Sequence, residues 1–423
     1  MADRDRQRLP ETADQQIGPV DASRTQKSPN FAMIIGIPLL LLVLVGGSIL
    51  LYTNGIFPFS KKSSGGISNT SNTSNSSGST GAIVNGRGCT KIGVLLPEAW
   101  SARWENKDHP LLVAAITKAV PGATVDYNNA QGFADTQQTQ AQADLTNGDC
   151  ILVLAPVDSI KSSSIVAAAK AKGVPVIAYD RLIYSSDTNS YVSFDGVAVG
   201  KLQGDYIAAH YQSYVTANGT PNTVVINGAK EDNNALLFSQ GAHQALDPLF
   251  SSGALKNIYE KFTRGWNNAT AQAEMQAALI ANSNNIAIAY VANDSMANSV
   301  IAALKAVNLS GKVLVTGQDA TVAGIQNILK GDQAMTVYKA FTKEASATAQ
   351  VIAALSAGTG ITSLTSGATT QIPLSGYGSI PSILETPVVV DKTNIQSTVI
   401  ADNFVTVSDI CVGLPSGAGG ICP

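Results

Sequence analysis

The sequence predicts an α/β protein of two doubly wound, parallel-sheet lobes, preceded by one transmembrane helix and a disordered linker. Three observations carry that prediction. From Cys89 onward, short apolar runs alternate with amphipathic runs, the rhythm of a parallel sheet covered on both faces. The rhythm restarts after Asp195, so there are two such units. And run after run of apolar strand ends in Asp, Asn, Arg or Lys. In open parallel sheets ligands sit outside those carboxyl ends, where the chain leaves the buried sheet and polar side chains converge.

In the first lobe the expected strands are 91–96, 123–127, 151–154, 174–178 and 191–194, with helices over 110–120, 135–146 and 162–172. Pro110 just inside the first helix suits a helix start. In the second lobe, helices over 197–210, 235–246 and 270–281 alternate with strands 223–226, 257–262 and 286–291, and strands 313–316 and 335–337 follow. The stretch Gly173 to Arg181 typifies the pattern, since the apolar run Val174 to Ala178 delivers Tyr179, Asp180 and Arg181 at its end. Asp158, Asp195, Asp232, Asn293, Asp319 and Lys339 stand at or just beyond the ends of other strands. Any one Asp or Asn in such a place is an ordinary helix cap. Repetition on many strands favours a shared site.

Phe31 to Tyr52 contains no charged residue, and roughly 20 apolar residues suffice for a helix to cross a bilayer. Arg4, Arg6, Arg8, Arg24 and Lys27 upstream outweigh Lys61 and Lys62 downstream, so residues 1–30 read as a cytoplasmic tail and 31–53 as a retained anchor. A cleaved secretory signal is the alternative; the run is longer than a usual signal core and no A-x-A-like site follows closely. Residues 54–88, rich in Ser, Asn, Thr and Gly from Lys61 on, read as a flexible linker. The rest is then extracytoplasmic, where disulfides persist. Cys89 and Cys150 each precede a strand, and first and third strands of a doubly wound sheet are often neighbours. They are expected to pair, leaving Cys411 with Cys422.

At 423 residues and 45% hydrophobic the chain buries a large core, and a net charge of −3 provides no basic field for nucleic acid. The polar strand ends suit a neutral polyhydroxylated ligand: Asp accepts from vicinal hydroxyls, Arg and Lys donate, and Asn does both. An apolar platform for the ring would come from Trp100, Trp104 or Trp266.

From Lys91 to about Phe404 the chain resembles the periplasmic sugar-binding proteins of ABC transporters, most closely their D-xylose-binding members. The segments that carry the likeness are Ala102-Arg-Trp104, Ala178-Tyr-Asp-Arg181, Ser193-Phe-Asp195, Asp232-Asn-Asn-Ala235, Gly265-Trp266, Ala292-Asn-Asp294, Gly317-Gln-Asp-Ala320 and Met335-Thr-Val-Tyr-Lys339. The resemblance implies the type I periplasmic binding protein fold, with lobes at 89–197 plus 340–376 and at 198–339 plus 377–423, joined by a three-strand hinge. It implies ligand contacts from Arg103, Trp104, Asp180, Arg181, Asp232, Asn234, Trp266, Asn293, Asp319 and Lys339, with an ABC permease as partner. An aldopentose, D-xylose first, is the implied ligand, ahead of glucose, galactose and arabinose. The chain departs from the family pattern at Pro97-Glu98 and at Gly196, which follows Phe194-Asp195.

Other function classes fit less well. A glycosidase needs one carboxyl held protonated, whereas Arg103, Arg181 and Lys339 would keep Asp180 and Asp319 ionised. His109, His210 and His243 stand singly, without a carboxylate or cysteine at ligand spacing, and no phosphate loop or cofactor motif is present. A membrane-anchored sugar sensor is the alternative to transport, but the short polar segment before Phe31 hardly houses a signalling domain.

Overall fold

The computed structural model describes residues 85–215 and 219–423. The cytoplasmic tail, the membrane span at 31–53 and nearly all of the linker lie outside the described residues. Among the described residues no helix is long and apolar enough to cross a membrane.

The first lobe opens with β1 (Lys91–Leu96), α1 (His109–Ala119), β2 (Thr124–Asn129), α2 (Ala134–Asn147), β3 (Ile151–Leu154), α3 (Ser163–Ala171), β4 (Val176–Tyr179) and β5 (Ser190–Phe194). The second comprises α4 (Gly196–His210), β6 (Asn222–Asn227), α5 (Asn233–Ser251), β7 (Lys256–Phe262), α6 (Asn268–Ala281), β8 (Ile288–Val291), α7 (Asp294–Ala306), β9 (Leu314–Val315), α8 (Val322–Lys330) and β10 (Met335–Tyr338). Then α9 (Phe341–Ala357), β11 (Thr369–Gln371) and β12 (Ser379–Glu385) return to the first lobe, and β13 (Val388–Asp391) crosses back to the second.

The first sheet runs β11-β12-β5-β4-β3-β1-β2, parallel throughout except for β11. The second runs β7-β6-β8-β9, all parallel, and a bridge from Gln318 to Val337 extends it to the antiparallel pair β10 and β13. Both sheets reverse direction of winding beside their first strand, between β1 and β3 and between β6 and β8. Side chains following those strands therefore meet at a switch point. The adjacency of β1 and β3 also brings together the residues just before them, and Cys89 is bonded to Cys150; Cys411 is bonded to Cys422.

Each lobe has its own apolar interior. Ile92, Val94, Val153 and Ile177 pack with Val351 and Ile352 of α9 in the first, and Val224, Ile226, Ile288 and Val300 pack in the second. Within the second lobe α4 and α5 lie backbone to backbone, because a Cβ at Gly200 would strike the Phe238 carbonyl and one at Gly241 the Val197 carbonyl. Only glycine permits that approach.

Three expectations are corrected. The linker does not run to residue 88, since Asn85 N donates to Gly173 O and Gly88 N to Ser356 O, tying this stretch to the first lobe. The first crossing comes at Asp195, which caps α4, so the second lobe starts at Gly196 and not at 198. The last crossing falls between Glu385 and Val388 and not at 376/377, because β12 pairs with β5. Pro381 within β12 and its alternating half-buried pattern hide that strand in the sequence.

Candidate functional site

The carboxyl ends of the two sheets enclose one hollow, and all ten residues implied by the resemblance line it, together with Ser101, Phe238 and Gln318. Each of the ten is at most 5% exposed. Three cations, Arg103, Arg181 and Lys339, face three carboxylates, Asp180, Asp232 and Asp319, so the lining is charge-balanced. Such a lining suits an uncharged guest, because no net charge needs a counter-ion.

From the first lobe, Arg103 stacks between the rings of Trp104 and Phe341, at 4.2 and 4.0 Å from their centroids. Its Nε and NH2 donate to Asp108 at 2.8 and 2.6 Å, and its NH1 donates to Asp180 at 2.6 Å. Arg103 and Asp108 stand five positions apart, a spacing an α-helix would splay apart. Here Trp104–Asp108 forms a π turn that brings the two together. Trp104 donates its indole N–H to Glu98 at 2.8 Å and lies beneath Arg181 as well, 5.1 Å from that guanidinium.

From the second lobe, Asp232 does two tasks. Its Oδ1 caps α5 by accepting from Asn234 N, while its Oδ2 receives Trp266 Nε1 at 3.1 Å and Arg181 Nε at 2.9 Å. Asn293 likewise caps α7 through Met296 N at 2.9 Å. The helix-cap and binding-site readings of these residues thus hold together. Asn234 Nδ2 reaches across to Asp180 O at 2.9 Å. Lys339, where β10 leaves the second lobe, lies 3.4 Å from Asp180 and 3.2 Å from Asp319.

Several residues at or beside the hollow hold left-handed backbone. Asp180, Trp266, Asp319 and Ala320 all adopt positive φ, at 59°, 56°, 94° and 48°. Such conformations cost about 1–3 kcal/mol each and persist only where surroundings hold them. Ser193 Oγ and Tyr191 OH bond to Asp180 O, and Asp319 N donates to Val337 O.

Burial alone would push the Asp180 carboxyl up, but Arg103 and Lys339 overcome it and hold the group well below the usual range. Burial raises Asp232, with Arg181 opposing, and burial raises Glu98, Asp108 and Glu344. Two buried acceptors line the hollow: Gln318 Oε1 accepts no hydrogen bond among the described residues, and Asp319 Oδ1 is held only by ion pairing to Lys339 at 3.2 Å and Arg103 at 3.9 Å. These atoms can take donors from a guest. The hollow keeps only about 20 Å³ free, less than a sugar ring fills, and the Arg181–Asp232 pair at 2.9 Å spans it between the lobes.

Sequence reasoning missed Ser101, Phe238 and Gln318, and the supporting Asp108 and Glu344. Ser101 adjoins one of the segments that carried the resemblance and Gln318 lies within another, and Phe238 stands one helical turn after Asn234, on the same face of α5. The π turn concealed Asp108, and only the fold brings Glu344 within 3.4 Å of Arg103. His243 is a correction: it does not stand singly, since Asp247 and Glu260 flank its ring at 2.6 and 2.9 Å. Asp247 was visible one helical turn away, whereas Glu260 comes from β7.

Residues 92–360 match the periplasmic binding protein domain. The chain is 36% identical over 320 residues to the D-xylose-binding periplasmic proteins of Haemophilus influenzae and of Escherichia coli, covering 76% of this chain and 92% of each. Among solved structures, an ABC transporter solute-binding protein from Clostridium phytofermentans with bound β-D-glucose matches at TM-score 0.66 and 30% identity, over 76% of this chain and 99% of that one. These relatives are binding proteins and not enzymes. The chain belongs to the periplasmic binding protein family.

Proposed function

We propose that this protein is the extracytoplasmic solute-binding component of an ABC importer, that it binds an aldopentose, D-xylose first, between its lobes, and that closure on the sugar is the signal its permease reads. The observation that carries the reading is the charge-balanced hollow itself, in which three cations, three carboxylates and the unsatisfied Gln318 Oε1 surround a space flanked by Trp104 and Trp266. Hydroxyl groups both donate and accept, and such a lining offers partners for both roles. The D-xylose-binding relatives support the choice of ligand. Residues from both lobes would touch the sugar, so it favours the closed form through contacts that the open form lacks. Residues 31–53 would anchor the protein in the membrane, with the N-terminus cytoplasmic and the lobes tethered outside.

Glucose is the second reading, favoured by the similar solute-binding structure with bound β-D-glucose. Calorimetry of the full-length chain against D-xylose, glucose, galactose and arabinose tests both. Heat from D-xylose well below the concentration needed for the others supports the first reading. No heat from any of the four at millimolar concentration removes the proposal.

A further inference from the structure

Outside the hollow the two lobes enclose a second, larger cavity of about 630 Å³. That volume falls within the range of about 300–1,000 Å³ in which small molecules are bound. Hydrogen bonds between the lobes set its width. Trp100 Nε1 donates to Gly265 O at 2.9 Å, and Ser159 N donates to Glu231 O at 2.8 Å.

The first-lobe wall carries two aromatic rings on a shaped turn. Trp100 lies against Gly132, where any Cβ would collide with the indole. Two successive left-handed residues, Gln131 at φ 50° and Gly132 at φ 78°, bend the chain there. The turn then presents Phe133, which is 67% exposed at the cavity's edge. Asp135 and Lys161 line the cavity from the same lobe, and Glu231 and Arg264 from the other. A half-buried indole and an exposed phenyl ring beside charged donors and acceptors repeat the chemistry of the inner hollow. They suit the C–H face and the hydroxyl edge of a sugar ring.

The two cavities are continuous in their lining, since Arg181 and Trp266 belong to both. Those two side chains therefore stand between the hollow and the larger space, where a substituent on a ring held in the hollow would pass. We propose that the outer cavity is a subsite for a second sugar ring, glycosidically linked to the first, so that the ligand class includes disaccharides and glycosides. The inference rests on the sugar-binding reading above.

Calorimetry on the full-length chain tests it, comparing D-xylose, D-glucose and L-arabinose with xylobiose, cellobiose and maltose. The same titrations are run on a Phe133→Ala, Arg264→Ala double variant, in which both altered positions are exposed and outside the inner hollow. The expected result is that a disaccharide binds in competition with its monosaccharide. The double variant then weakens the disaccharide about tenfold or more while the monosaccharide changes by less than about twofold. Monosaccharide binding with no disaccharide binding overturns the subsite, as does an equal loss for both ligands in the variant. Failure of every sugar removes the sugar-binding reading and the subsite with it.

Discussion

Arg181 Nε lies 2.9 Å from Asp232 Oδ2, and the pair joins the end of β4 in the first lobe to the start of α5 in the second. Trp266 Nε1 bonds to the same carboxylate oxygen, so one acceptor gathers a cation and an indole at the cleft. On the proposed function, a sugar in the hollow would compete for these groups, and its hydroxyls would substitute for the partners they release. Arg181→Ala is therefore expected to weaken binding about 100-fold, because a buried charged acceptor loses its donor. Asp232 keeps the Asn234 N–H and the Trp266 indole as donors, so the far-ultraviolet dichroism is expected to stay unchanged. Calorimetry checks the affinity; an unaltered affinity in both Arg181→Ala and Asp319→Ala would show that the hollow is not the binding site.

The fold was legible because its signals are local. Buried parallel strands such as Ile151–Leu154 are continuous apolar runs, and their polar ends mark the side on which a site forms. The ten residues that line the hollow were legible for a different reason: they sit in short segments whose order and spacing carry the family likeness. What stayed hidden depends on long-range contact or irregular backbone. Asp108 reaches Arg103 through a π turn, and Glu344 reaches it from α9, which lies 241 positions along the chain. Glu260 meets His243 only because β7 packs beside α5. β12 was assigned to the wrong lobe because a proline interrupts its strand pattern.

The two disulfides close loops of different length, 61 residues apart for Cys89–Cys150 and 11 for Cys411–Cys422. Chain-entropy arguments give about 4 kcal/mol for the first and about 3 kcal/mol for the second. Cys89 is also fully buried in the first-lobe core. Cys89→Ala with Cys150→Ala should therefore lower unfolding stability more than Cys411→Ala with Cys422→Ala. Urea unfolding of the two double variants measures the order, and the reverse order would show that loop length does not govern their contribution.

His243 is clamped between Glu260 and Asp247, and these hydrogen bonds raise its pKa from 6.5 to about 9. Because the folded value exceeds the unfolded one, the stabilisation is complete below about pH 6.5 and is lost as pH rises through about 9. His243→Gln should cost stability at pH 6 and far less at pH 10. Thermal unfolding of the two chains across that range checks this; a difference that stays constant with pH would mean that the imidazolium charge contributes nothing.

Asp144 presents the opposite chemistry with the same sign. Its carboxyl lies beside Gly93 and Asp149; Oδ1 accepts from Asn128 Nδ2 at 2.9 Å, while Oδ2 accepts no hydrogen bond among the described residues. Burial, then the charges of Asp149 and Asp126, push its pKa up to about 7. A carboxyl whose folded pKa lies above its unfolded value favours the fold below the unfolded pKa, and that contribution is lost as pH rises through the folded one. The native chain should thus lose stability between about pH 4 and pH 7, the interval between the unfolded and folded values, and level off above it. Asp144→Asn retains the shape, keeps an acceptor for Asn128 and has no proton to lose. The variant's melting temperature should therefore gain on that of the native chain as pH rises from 5 to about 8.5. If the two melting curves keep a fixed separation over that range, the carboxyl is already ionised at pH 5 and Lys91, which lies 3.1 Å from Asp149, outweighs burial.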